Sequence, residues 1–375
     1  MTDNTGAIST KPVRVDVKSV DRELSSMWRK AAEGDTPGVS APLTRTLLSN
    51  LVVYATDEAE AEAAAQVVVE LAANHPNRAI IVDAQPDGAE RKLEAEISMF
   101  CSIGERGRRL CGEQVRLHAH GLRAEALGTI MPMLAPDLPV YLWTPGSLQG
   151  DGQVYRDLAQ FADHWIIDSA AFADDQAFEV VDRAGRGSKP PVIIHDLSWV
   201  AAARWRELVA RLFDPRPARE YLTGVTQVEI IHKPENTEAI MMAAWLISQL
   251  QWNDPQVRRV SASDLVITVK VDGRPLTLNL KASKAAKWAV DEVVITSSID
   301  AGTGVFRAAR SDNEEEAVTE SQAPDIPDVR NIVSTPPVSL SSAVCQALDA
   351  PGADTLYGRA YPVARELTRL MRNAK

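Results

Sequence analysis

The chain is short of the residues that carry redox, metal and membrane chemistry. Only three cysteines, Cys101, Cys111 and Cys345, occur in 375 residues. That is too few for the disulfide framework of a secreted domain, and an odd number leaves at least one thiol free. Long apolar runs are missing: the longest, Ala239 to Ile247, falls well short of the roughly 18 residues that suggest a membrane span. The start, MTDNTGAISTKP, has neither the basic flank nor the apolar stretch of a secretory signal. These features predict a cytoplasmic protein with no membrane partner. Positive charge is also in deficit. Lys plus Arg is 40 against 51 Asp plus Glu, a net charge of −11, which repels nucleic-acid backbones and anionic lipid and favours protein or small-molecule partners.

Motifs that announce catalysis are absent too. No GxxxxGK[ST] phosphate loop occurs; RAGRGSK, Arg183 to Lys189, has neither the spacing nor a preceding strand. Gly302 and Gly304 fall in an expected antiparallel turn with no helix after them, so they are not a dinucleotide fingerprint. Neither GxSxG nor HExxH is found. The sequence therefore assigns no catalytic, cofactor or metal-binding residue.

What is present is a soluble globular composition, 45% hydrophobic and 24% charged, in a chain long enough for two lobes. Residues 1–43 read as a polar, mobile tail with a short helix around Met27 and Trp28. Residues 44–217 alternate strands and helices. The strand runs are TRTLLSNLVVYAT, AIIV, LPVYLW, HWIID and PVIIHD, of which AIIV and LPVYLW read as buried, and EAEISMFCS with LCGEQVRLHAHG forms a hairpin turning near Arg106. The expected architecture is α/β: a mostly parallel, mixed sheet flanked by helices, ending with a helix from Ser198 to Phe213. Residues 218–308 predict a smaller α+β lobe with an antiparallel meander. Its hairpin is marked by Asp272-Gly273, because a two-residue turn of this kind needs positive φ at both positions. Residues 309–340, with Glu314, Glu315, Glu316 and four prolines, suggest a mobile acidic linker or arm. Residues 341–375 predict C-terminal helices.

Several side chains could carry function. Asp83, Asp168, His195 and Asp196 each close an apolar strand, where open parallel sheets gather ligand groups. A shared crevice binding a sugar phosphate is one reading, and helix capping is the other and favoured one. His118 and His120 leave one face of a strand, but Cys111, seven residues from His118, falls on the opposite face, so these three do not make a zinc set. Cys101 and Cys111 can face each other across the hairpin as a redox pair. Two buried thiols is the favoured alternative, with Cys345 the more exposed third. Trp28 and the acidic Glu314, Glu315 and Glu316 are the candidate partner contacts.

The segments RTLLSNLVVYAT, HPNRAIIV, EAEISMFCS, CGEQVRLHAHG, LAPDLPVYLWTPG and IIDS, followed by DLSWVAAARWRELVARLFDP, resemble the OpcA family, the assembly proteins of glucose-6-phosphate dehydrogenase. The resemblance runs in order from about Thr44 to Pro215. It implies a non-catalytic partner that binds the dehydrogenase, favours its active oligomer and supports NADPH production by the oxidative pentose phosphate route. Cyanobacterial members are associated with thioredoxin through cysteines near the carboxyl end. With Cys345 alone in that region, this control is not carried over, and the resemblance supplies no catalytic residue.

Overall fold

The computed structural model describes residues 8–33, 43–45, 47–85, 91–103, 109–148, 152–172, 175–187, 190–234, 238–286 and 289–374. The expected hairpin turn near Arg106 and the first seven residues lie outside these. The chain forms two compact units, Met1–Leu197 with Ser339–Gly352, and Ser198–Val338 with Ala353–Lys375.

In chain order, the first unit contains β1 (Ile8–Ser9), β2 (Val13–Val15), α1 (Val20–Ala32), β3 (Leu43–Arg45), β4 (Asn50–Ala55), α2 (Glu58–Leu71), β5 (Arg78–Asp83), β6 (Lys92–Ile103) and β7 (Arg109–His120). It continues with α3 (Arg123–Met133), β8 (Val140–Trp143), α4 (Gln153–Ala159), β9 (His164–Ile167), α5 (Asp175–Gly187) and β10 (Ile193–Asp196). Every residue of β4, β5 and β8 is buried, as continuous apolar strands require when helices cover both faces. Helix α2 begins at the N-cap Asp57, whose carboxylate accepts from the Glu60 N–H. It buries Ala61, Ala64, Val67, Val68 and Leu71 along one side, the spacing of an amphipathic helix.

The sheet runs β1-β6-β7-β5-β4-β8-β9-β10. From β7 to β10 every neighbouring pair is parallel, while β6 joins β7 as an antiparallel hairpin. If the parallel strands are counted in chain order, their spatial order is 3-2-1-4-5-6, that of doubly wound dinucleotide-binding sheets. In place of the expected mobile tail, the described residues 8–33 and 43–45 form a structured border. Strands β1 and β2 add to β6 and β3 adds to β7, because the long hairpin presents strand surface that short segments can pair with.

This border is fastened by a buried ion cluster around Glu113 on β7, which is fully buried. Arg78 Nε donates to Glu113 Oε1 at 2.5 Å and Arg45 Nη2 to the same oxygen at 2.9 Å. The Trp28 indole donates to Oε2 at 2.5 Å. Arg78 also donates to the Met133 carbonyl at 2.6 Å and to Asp21 at 3.1 Å. One carboxylate thus gathers α1, β3, β5 and the end of α3 around β7.

The second unit holds α6 (Leu197–Ala201, which starts at the boundary), α7 (Ala203–Arg211), α8 (Arg216–Glu220), β11 (Val225–His232), α9 (Glu238–Gln249), β12 (Asn253–Arg259), β13 (Leu265–Val271), β14 (Arg274–Ala282), β15 (Val290–Ile299), β16 (Gly302–Arg310), β17 (Glu316–Ala323) and β18 (Ile326–Ser334). Two helices follow: α10 (Leu340–Asp349), which belongs to the first unit, and α11 (Thr355–Asn373), which belongs to the second. The second sheet runs β12-β13-β14-β11-β15-β16-β17-β18. Asp272 and Gly273 have φ of 50° and 78° and close the β13–β14 hairpin, as the Asp-Gly pair predicts.

Two expectations fail here. The acidic segment 309–340 is no mobile arm: β17 and β18 form an antiparallel hairpin on β16. Within it Glu320 is paired across strands, where Arg307 donates to it at 2.9 Å and Arg330 lies 3.2 Å from the same carboxylate. Pro327 sits on the exposed edge strand β18, Pro324 in the turn before it, and Pro336 and Pro337 follow the end of the strand, positions that tolerate a missing N–H. The lobe boundary lies at Leu197 rather than 217, because the expected helix from Ser198 to Phe213 forms instead as α6 and α7, and α7 packs on β16 of the second unit. There the Phe213 and Phe306 rings are 4.6 Å apart.

Replacing Glu113 by alanine leaves Arg78, 7% exposed, without its main counter-charge. Removal of one partner from a buried pair costs about 3–5 kcal/mol. Urea unfolding of Glu113→Ala should show a loss of that order, with Glu113→Gln intermediate. A loss below about 1 kcal/mol, the scale of an exposed pair, would show that the cluster does not fasten the border.

Candidate functional site

In a doubly wound sheet of this order, ligands bind outside the carboxyl ends of the strands. The first strand-to-helix turn holds a pyrophosphate through glycines and the helix N-terminus. Here that turn is Ala55-Thr56-Asp57-Glu58, with no glycine, and α2 carries Asp57, Glu58 and Glu60 at its start. The Glu60 carboxylate folds back into the turn, accepting from Thr56 N–H at 2.9 Å and from Thr56 Oγ1 at 3.2 Å. Gly146, beyond β8, lies against it so closely that a Cβ there would come within 1.7 Å of Glu60 Oε1. The amides of Thr56 and Glu60 and the positive end of α2 are thus met by the protein's own carboxylates, and a dinucleotide pyrophosphate would face three acidic side chains. These residues do not fit a dinucleotide.

The strand-end residues named from the sequence do not converge. Asp168 accepts from Ala170 N–H at 3.1 Å, and buried Asp196 accepts from Ser169 N–H at 3.1 Å; both shape the turn after β9. His195 Nε2 is 2.9 Å from His164 Nδ1, and the His164 ring stacks on Tyr141 at 4.3 Å. Burial holds the His164 pKa below its usual 6.5, against the opposing pull of Asp163. Asp83, on β5, is separated from β10 by β4, β8 and β9, four strand spacings or about 19 Å. The sugar-phosphate crevice is therefore not assembled from these four residues.

Asp83 has other company. The β5–β7 register sets it beside His118, and Asp83 Oδ2 lies 3.5 Å from His118 Nδ1 and 4.0 Å from His120 Nε2. Burial pushes the Asp83 pKa up, but hydrogen bonds from His118 and Gln85 and the field of Arg116 outweigh it and leave it below 3.8. Asp83 is therefore a buried anion at the end of the sheet.

The remaining candidates are placed as follows. Trp28 is engaged by Glu113 and lies under the Arg45 guanidinium, 5.6 Å away. Glu314 and Glu315 are exposed in the turn before β17, and Glu316 opens that strand. Cys101 and Cys111 are register partners and are joined in a disulfide, in place of the two thiols the sequence favoured. Cys345 is a half-buried free thiol, its pKa pushed up by burial and then by Asp349. Sequence reading passed over Glu60, although Asp57-x-x-Glu60 carries the spacing of a capping box.

The geometry defines a dinucleotide-type fold whose phosphate cradle is filled from within. Its likeness to solved structures agrees on the fold: a 3-ketoreductase from Actinomadura kijaniata, solved with NADP and TDP-benzene, superposes with a TM-score of 0.50 at 9% identity, over 86% of this chain and 96% of that one. Family models are more specific. Residues 68–183 match the glucose-6-phosphate dehydrogenase subunit N-terminal domain, and residues 192–361 match its C-terminal domain. The chain belongs to this family, the OpcA family. Curated relatives carry the name OxPP cycle protein OpcA. The one from Synechococcus elongatus is 29% identical over 50% of this chain and 42% of its own length. The one from Synechocystis is 29% identical over 48% and 38%. The match thus takes in less than half of these relatives' length. Among the described residues no helix is long and apolar enough to cross a membrane.

The depressed His164 pKa gives a pH signature. Because the folded state disfavours the imidazolium, the contribution of this residue to stability is fully present above pH 6.5 and is lost as pH falls below that value toward the lower folded pKa. Melting temperature should fall more steeply between pH 7 and pH 5 for the wild type than for His164→Gln. Parallel profiles for the two proteins would remove His164 from the acid sensitivity.

Proposed function

We propose that this chain is a non-catalytic cytoplasmic partner of glucose-6-phosphate dehydrogenase that binds the enzyme, promotes its active oligomer and so supports NADPH supply by the oxidative pentose phosphate route. The observation that carries this reading is the pair of family matches to a glucose-6-phosphate dehydrogenase subunit, which take in most of residues 68–361. The Glu60-filled turn supports it from the other side, since a chain with no room for a dinucleotide pyrophosphate in the customary place cannot use it there for hydride transfer.

The proposed contact includes the exposed acidic turn at Glu314 and Glu315. Trp28 is less suited, because its indole is already spent on Glu113.

Dehydrogenase activity against glucose 6-phosphate concentration, measured with and without this chain alongside light scattering of the mixture, tests the proposal. A larger assembly with a lower KM or higher kcat is expected. Charge reversal by Glu314→Lys with Glu315→Lys should raise the concentration of this chain needed for half the effect. Absence of both co-assembly and kinetic change would overturn the reading, and an unchanged half-effect concentration would remove the acidic turn from the contact.

A further inference from the structure

Asp83, His118 and His120 stand together at the carboxyl end of the first sheet, each offering one ligand atom, all within 4.8 Å of one another. We propose that these three side chains form a binding site for one divalent transition-metal ion of the zinc class. The inference does not rest on the partnership with the dehydrogenase.

The donor set is two imidazoles and a carboxylate, which suits zinc and its neighbours and leaves a further position for water or an exogenous ligand. Metal–ligand bonds of about 2.0–2.1 Å place tetrahedral neighbours about 3.3 Å apart. The observed 3.5 Å from Asp83 Oδ2 to His118 Nδ1 and 4.0 Å to His120 Nε2 need only small side-chain rotations to close on an ion. The backbone already sets the spacing. His118 and His120 are two apart on β7 and share a face, while the parallel β5–β7 register brings Asp83 alongside.

Two further observations point to a ligand. Asp83 Oδ1 and His120 Nε2 are both buried without a hydrogen-bond partner, although buried polar atoms are nearly always bonded. Asp83 is only 1% exposed, so water does not relieve it. Secondly, His118 turns Nδ1 toward Asp83 and Nε2 toward Glu96 Oε2, 3.7 Å away. A carboxylate behind a histidine is the usual outer-shell support that orients a metal ligand and raises its basicity. The cation acting on this group, Arg116, is itself paired to Glu62 at 2.8 Å.

The sequence alone could not close this set. It weighed only Cys111 as a partner for the histidines and set that grouping aside, whereas the third ligand lies on a strand that chain order separates from β7 by the inserted β6.

The full chain, stripped with a chelator and titrated with Co2+, tests the site, because the intensity of the visible absorption reports low-coordinate binding. One equivalent of Co2+ is expected, displaced by one equivalent of Zn2+. Asp83→Asn and His120→Ala should each weaken binding at least about tenfold, with circular dichroism confirming that each variant is folded. Cys345→Ser, which breaks the separate grouping of His75, Cys345 and Asp349, should leave the titration unchanged. Asp83→Asn keeps the volume of the side chain and stands as the test should His120→Ala not fold. No saturable Co2+ signal into the millimolar range, or a signal lost with Cys345→Ser and kept in Asp83→Asn, would overturn the proposal.

Discussion

A single buried carboxylate holds the first unit to its shape. Glu113 sits on the strand where the sheet turns from parallel to antiparallel, and a charge at that depth is tolerated only when it is paired and hydrogen-bonded. Arg78, Arg45 and Trp28 satisfy it, and they come from segments far apart in the sequence. The requirement to neutralise one anion therefore fixes where α1, β3 and β5 lie around β7. The β5–β7 pairing then sets the register that puts Asp83 beside His118 at the far end of the same two strands.

The other decisive feature is what fills the first turn of the doubly wound core. This fold commonly presents helix amides to a phosphate. Here Glu60 bonds to Thr56 and lies against Gly146, so the Thr56 amide, like that of Glu60 on Asp57, is satisfied before any ligand arrives. A fold does not dictate a function. The scaffold seen in a ketoreductase is here closed at its cradle, and the family matches name a glucose-6-phosphate dehydrogenase subunit.

Much of the fold was legible in the sequence because its signals are local. Continuous apolar runs predicted β5 and β8, and Asp272-Gly273 predicted its hairpin, while the run expected as one strand from Thr44 to Thr56 divides between β3 and β4. Asp168 was readable as a cap, whereas Asp196 accepts from the Ser169 N–H, across on the turn after β9. The failures share one cause, the dependence on partners distant in the chain. Strands β1, β2 and β3 exist only because the long β6–β7 hairpin offers them an edge. The segment 309–340 looked disordered by composition, yet Glu320 within it is paired across strands with Arg307 and Arg330. Glu113 and the Asp83–His118–His120 group likewise depend on a parallel register that no spacing in the sequence encodes.

The claim that Glu60 closes the phosphate cradle is tested most directly by titrating the full chain with NADPH and following nucleotide fluorescence. The account predicts no saturable binding into the millimolar range. Stoichiometric binding at micromolar NADPH would contradict it and would restore a dinucleotide to the first unit.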